Sequence, residues 1–233
     1  MTAAPSDTAA VDLYWLPLGA GGHSVRGNGR AYEAACSLLQ RRTAQALYHS
    51  AIRVGLPPNT WVIEMTPVWV AGTDRGVVAE GAVGARLAGC SRLFRYEVHC
   101  WRDGSIADLD EAVESPRRLS SDEPVCRRLV VAVSSVPTPV WGRDELGTGE
   151  MWNSNSVTSW LLARSGIDIV PVGPPAGGRA PGWYAGLIAE RRARTRSGSA
   201  PAAGPGEVGG QAGRGAAGEG QQDRLVTQPP LGP

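Results

Sequence analysis

The sequence predicts an α+β fold, an antiparallel sheet packed on helices, over residues 11–190. Three observations carry that expectation. Several short segments alternate apolar and polar residues with a period of two, the pattern of half-buried strands. Others set apolar residues at helical spacing behind Asp, Asn or Pro starts, with Gly or Arg at their ends. After about Arg194 the chain turns to Gly, Ala, Pro, Ser and Gln with almost no large apolar residues. Such a stretch cannot bury enough surface to offset the entropy of ordering. The expected organisation is a flexible N-terminus over 1–10, one domain over 11–190 and a disordered tail over 191–233.

Taken in order, the first strand covers Asp12 to Leu18 and is closed by Gly19, Gly21 and Gly22. Residues 30–42 read as a helix, with Ala31, Ala34, Ala35, Leu38 and Leu39 on one side and Arg41 and Arg42 in the last turn. Cys36 falls inside it as a small buried hydrophobe. Leu47–Val54 and Trp61–Val68 form a hairpin across GLPPNT, a loop of turn residues. A short strand at Gly76–Glu80 sits in a glycine-rich stretch. Ser91 to Trp101 is a further strand, with Phe94, Tyr96, Val98 and Cys100 on one face and Arg95, Glu97 and His99 on the other. His99 is therefore expected at the solvated surface. His23, in a glycine-rich loop without a partner pattern, is read the same way. Asp122, Glu123 and Pro124 open a helix through about Val133. WGRDELGTGEMWN is a loop, and a second helix runs from Ser154 to Arg164, closed by Gly166. Residues 167–189 read as a short strand, Ile167–Val172, and a Gly/Pro-rich segment ending in GWYAGLIA.

Composition narrows the function classes. Formal net charge is +1, so no broad basic surface argues for nucleic acid or an anionic membrane. All 23 basic residues are arginine. No segment approaches the ~18–20 apolar residues of a membrane span, and the first residues lack the basic start and apolar run of a signal peptide. The four cysteines show no paired spacing, which fits a reducing compartment and makes the cytoplasm the default location. Three histidines without His-x-His or His-x-x-x-His spacing give no metal-ligand set, so neither metal nor cofactor is expected. Eight tryptophans against one phenylalanine leave two readings open, a core rich in indoles or a tryptophan-lined groove.

Three windows can carry chemistry: LYHSAIRV, WVIEMTPVW and EMWNSNSVTSWLLARSG. If Val54 pairs with Trp61, His49 stands opposite Thr66 and Glu64 opposite Ala51, so His49 and Glu64 share a face as diagonal neighbours. A carboxylate there orients an imidazole and raises its basicity. Asn153 or Ser154 begins the later helix, beside unpaired N–H groups and the positive end of the helix dipole, where a developing oxyanion is favoured. Base, acid and nucleophile in the order His49, Glu64, Ser154 make an acyl-transfer triad. The bland alternative makes Asn153 and Ser154 simple capping residues. Trp141, Trp152, Asn153 and Asn155 flank the position as candidate substrate-binding residues.

The windows resemble motifs of the circularly permuted papain-like hydrolases, a group that includes relatives of lecithin–retinol acyltransferase, PPPDE-type isopeptidases and bacterial peptidases of the NlpC superfamily. Tyr48-His49-Ser50-Ala51-Ile52 resembles the strand that carries the family's histidine. Val62-Ile63-Glu64-Met65 resembles the strand that follows, and Asn153-Ser154-Asn155-Ser156-Val157 resembles the opening of its nucleophile helix. The resemblance implies a permuted papain-like fold with His49 as base, Glu64 as orienting acid and Ser154 at the nucleophile position. It departs from the family in having serine where the nucleophile is cysteine, and Ser156 at the family's second histidine position. Two functions follow as expectations. One is an amide or ester hydrolase or acyltransferase with a Ser-His-Glu type site. The other is an inactive member of the fold that binds a peptide, a protein or a lipid-like, acyl-bearing ligand. A weaker third reading makes the tail a recruiter of partners.

Overall fold

A computed structural model describes residues 8–18, 45–68, 76–106 and 108–198. The period-two segments become strands: β1 (Ala10–Pro17), β2 (Ala46–Leu56), β3 (Asn59–Pro67), β4 (Val77–Ala82), β5 (Arg95–Arg102), β6 (Val113–Ser120) and the short β7 (Gly178–Arg179). They form one sheet in the order β4-β5-β3-β2-β1-β6, with β7 beside β2. Every pair along the main path is antiparallel, whereas β7 runs parallel to β2. Three helices follow β6: α1 (Glu123–Ala132), α2 (Ser154–Arg164) and α3 (Trp183–Gly198). The class is α+β, as the sequence predicts.

The two faces of the sheet have different fates. Val11, Leu13 and Trp15 of β1, Ile52 and Val54 of β2, Ile63 and Met65 of β3 and Tyr96, Val98 and Cys100 of β5 all point into the main core. There they meet Cys126 and Leu129 of α1, Trp152, Val157, Trp160 and Leu161 at and in α2, and Trp183 of α3. Trp15 packs on Trp183 with ring centroids 5.0 Å apart. The alternate residues face the other way, where Tyr14, Leu16, Ala51 and Val62 form a smaller cluster with Ile106. Four of the eight tryptophans thus belong to the core. This decides the tryptophan question for Trp15, Trp152, Trp160 and Trp183, all buried.

The hairpin is tighter than the sequence suggests. β2 and β3 extend to Leu56 and Asn59, leaving Pro57 and Pro58 alone in the turn, and Val54 pairs with Trp61 as expected. Several elements differ from expectation. Residues 92–94 form a 3₁₀ turn and β5 begins only at Arg95, because Leu93 and Phe94 point to solvent rather than alternating into the core. Ile167–Val172 is not a strand. Ile169 and Val172 are buried, but Val172 N–H turns back to the Ile169 carbonyl. β6 has no clear alternation, since Pro116, Arg117 and Arg118 occupy its exposed middle. Among the described residues it pairs with β1 on one side only, and proline is tolerated on such an edge. The helix expected at 30–42 with Cys36, the loop with His23, and residues 199–233 lie outside the described residues.

α3 is the largest departure. It starts inside the Gly/Pro-rich segment and runs past residue 190 to Gly198. Two features hold it. The Glu150 carboxylate accepts from the Tyr184 N–H in its first turn, where the helix dipole favours an anion. Farther along, the buried Glu190 carboxylate accepts from Arg194 Nε at 2.5 Å and lies 3.6 Å from Arg164 of α2. A buried carboxylate without such partners would be costly. The two helices cross at Gly186. A Cβ there would strike the Ser156 carbonyl, the Ser159 hydroxyl and the Trp160 backbone nitrogen. Gly186→Ala is expected to destabilise the fold by about 3 kcal/mol, outweighing the ~1 kcal/mol that alanine gains over glycine in a helix. Denaturant unfolding of the variant checks this.

Candidate functional site

The start of α2 is a closed hydrogen-bond network. Asn153 is the N-cap, its Oδ1 accepting from the Asn155 N–H at 2.9 Å and the Ser156 N–H at 3.3 Å, while Ser156 Oγ accepts from the Asn153 N–H. This is a capping box built from Asn and Ser. Asn153 Nδ2 donates to the Pro181 carbonyl, and the Ser156 hydroxyl donates to the Gly182 carbonyl at 2.8 Å. Asn155 reaches the sheet: its Oδ1 accepts from Ser50 Oγ at 2.9 Å, and its Nδ2 donates to the carbonyls of Tyr48 at 3.0 Å and Pro181 at 2.9 Å. The candidate substrate contacts Asn153 and Asn155 therefore spend their polar groups on holding α2, β2 and the turn before α3 together.

The candidate tryptophans are structural too. Trp152 is 1% exposed. Trp141 is half-buried, stacks edge-on against Tyr96 and bridges β4 through its backbone, donating to the Ala82 carbonyl and accepting from the Gly84 N–H. The loop that carries both is knitted to the sheet rather than held open as a groove wall.

The three residues of the expected triad are not brought together. β1 and β2 pair without a register break from Tyr48 to Gly55, with His49 opposite Leu16 and Ala51 opposite Tyr14. Residues paired directly across two strands share a face. Leu16, Tyr14 and Ala51 belong to the cluster on the face away from the helices, so His49 lies on that face. Its neighbour Ser50 points the opposite way, to Asn155 of α2. Ser154, 7% exposed, opens the helix that packs on the Ser50 side. The β2 backbone thus stands between His49 and Ser154, and no hydrogen bond joins them among the described residues. Glu64 does share the His49 face, because its neighbours Ile63 and Met65 point into the main core.

His49 is also poorly tuned as a base. Burial pushes its imidazole down to about 4, against the opposing pull of Asp108. A general base works best with a pKa near the operating pH.

What the sheet does assemble on the face away from α1, α2 and α3 is a different polar set. Glu64 pairs with His99 across β3 and β5, and Thr66 with Glu97. His99 Nε2 lies 3.1 Å from Thr66 Oγ1 and 3.4 Å from Glu97 Oε2. His99 is 3% exposed, so the solvated histidine expected from strand alternation is a buried one. Alternation identifies its face correctly, but not that this face is covered at that point. The arrangement can donate and accept protons. Hydroxyl and carboxylate here meet the same ring nitrogen, whereas a triad uses the two nitrogens separately. Thr66, Glu97 and His99 escape a sequence reading because only the β3–β5 pairing makes them neighbours. No cluster of three or more metal-ligating side chains occurs among the described residues, nor does any helix long and apolar enough to cross a membrane.

Two outcomes follow. Asn155→Ala removes this partner from the Ser50 hydroxyl and from the Tyr48 and Pro181 carbonyls, the last of which keeps Asn153 Nδ2, and is expected to cost about 2–3 kcal/mol in equilibrium unfolding. Because the folded chain holds His49 below its ordinary 6.5, the unfolded chain binds that proton first. No penalty exists above pH 6.5, and one grows as the pH falls toward 4. His49→Gln is expected to lose less melting temperature than the parent between pH 7 and pH 4.5 in thermal scans. No protein-family model matches this chain, and neither does any curated protein or any solved structure.

Proposed function

We propose that this chain acts by binding rather than by acyl transfer through Ser154, as an inactive relative of the permuted papain-like hydrolases. The observation that carries this reading is the separation of His49 and Ser154 onto opposite faces of the sheet. A serine hydroxyl is a weak nucleophile unless a base lies within hydrogen-bond reach. The occupant is a peptide or protein segment.

The hydrolase reading keeps one supporting feature, the position of Ser154 in the first turn of α2 with no hydrogen bond of its own hydroxyl among the described residues. The two readings part in one experiment. The full chain is treated with a fluorophosphonate probe and assayed with p-nitrophenyl acetate, beside Ser154→Ala. Absence of Ser154 labelling and equal rates for the two proteins support binding. Labelling at Ser154, or a hundredfold loss of esterase rate in Ser154→Ala, overturns it and makes the chain a serine hydrolase.

A further inference from the structure

The outer edge of β4 is left open over most of its length. An antiparallel strand turns the main-chain N–H and C=O of alternate residues toward its partner, and those of the residues between them away. Val83 N–H donates to the Phe94 carbonyl, and the Gly76 carbonyl accepts from the Cys100 N–H. With the register shift between Val77 and Ala79, the residues turned away from β5 are therefore Val77, Glu80 and Ala82. The chain fills one of these places itself. Trp141 N–H donates to the Ala82 carbonyl and its carbonyl accepts from the Gly84 N–H, the beginning of a parallel ladder. The next step of that ladder would need an N–H at position 139. Pro139 has none, and its carbonyl accepts from the Tyr96 hydroxyl instead. Among the described residues, Val77 and Glu80 thus keep both main-chain groups, and Ala82 its N–H, without a hydrogen-bonding partner. Val77 and Val78 are 40% and 37% exposed, so water reaches this stretch.

We propose that the open edge of β4 is a docking site for an extended segment of another protein, which joins the sheet as a further strand. The proposal rests on the binding reading above and says where and how the segment is held. The main-chain groups choose the occupant. A row in which N–H and C=O recur along a strand is matched by another extended backbone, whereas a phosphate or lipid headgroup offers acceptors alone. The flanking side chains add a preference. Val77 and Val78 favour apolar, β-branched neighbours. Glu80 is already paired with Arg95, so the site asks no charge of its guest. β4 carries no proline, in contrast to the other border of the sheet, where Pro116, Arg117 and Arg118 stand in β6. The size of the row favours a short segment over a second folded copy of this chain. An interface between folded partners engages about 20–30 residues on each side, and this row offers three outward residues before Trp141 closes it.

The test uses the full chain and a fluorescein-labelled peptide of alternating threonine and valine, followed by fluorescence anisotropy. Glu80→Pro removes one outward N–H and leaves the β5 ladder alone, a place where a strand tolerates proline. Glu80→Gln keeps that N–H and loses only the Arg95 pair. Circular dichroism and melting temperature establish that each variant is folded. The parent is expected to bind the peptide, Glu80→Gln to bind within about twofold of it, and Glu80→Pro to bind about tenfold or more weakly. The peptide is also expected to slow amide hydrogen exchange at Val77, Glu80 and Ala82 of the parent, a readout that stands even where Glu80→Pro fails to fold. A parent that does not bind the peptide overturns the proposal, as does a folded Glu80→Pro that binds it equally well. Slowed exchange elsewhere than on β4 removes the edge site and leaves the binding reading in place, whereas labelling of Ser154 by the fluorophosphonate removes the binding reading and leaves the exchange result standing. Self-association of the parent in sedimentation equilibrium, lost in Glu80→Pro, gives the edge to a second copy and also overturns the proposal.

Discussion

The side chain of Asn155 is the fastening on which the layer structure depends. It is buried, reaches from the first turn of α2 to the backbone of β2 and the turn before α3, and satisfies a hydroxyl and two carbonyls at once. Buried polar groups are costly unless paired. The pairing therefore fixes which strand α2 lies over and how deep it sits. It also fixes which edge of β2 looks at the helix, since Ser50 must point toward Asn155. Everything said about His49 follows from that single orientation, because a strand turns successive side chains to opposite faces.

The face away from α1, α2 and α3 then inherits the leftover polar residues. Its chemistry is cooperative in origin: His49 is supplied by β2, Glu64 and Thr66 by β3, Glu97 and His99 by β5. No two of these strands form a polar set of that richness alone. The order β5-β3-β2 places them side by side, and the segment that supplies Ile106 and Asp108 adds an apolar wall and a negative charge near His49. Burial has opposite meanings at the two ends of the set. At His49 it disfavours the charged ring, while at His99 hydroxyl and carboxylate contacts hold a ring that water scarcely reaches.

Legibility in the sequence tracks how local the determining physics is. The hairpin register, the Asn153 cap, the Gly166 stop and the start of α1 are decided within a few residues, and the structure places them where those residues suggest. β6 and α3 were illegible for a shared reason. Each is stabilised by a neighbour distant in sequence, β6 by pairing with β1 and α3 by crossing α2 at Gly186 and by the Glu190 contacts. Their own sequences, with Pro116 in one and Gly182 and Gly186 around the start of the other, argue against regular structure. At the candidate site the local motif was visible, but the sign of the face was not. The spacing of His49 and Glu64 shows that they share a face; it takes the Ser50–Asn155 contact to show which one.

The two borders of the sheet are finished in different ways. On one side β6 presents Pro116, which has no N–H to offer, beside Arg117 and Arg118. On the other the end of β4 is occupied by the Trp141 backbone. Free strand borders template the addition of further strands, and prolines, charges and covering loops are how proteins blunt them. Growth by adding backbone to backbone is thereby discouraged along Pro116 and at the Trp141 end. Contacts between molecules at those places fall to side chains, which can be tuned one residue at a time without disturbing the ladder beneath.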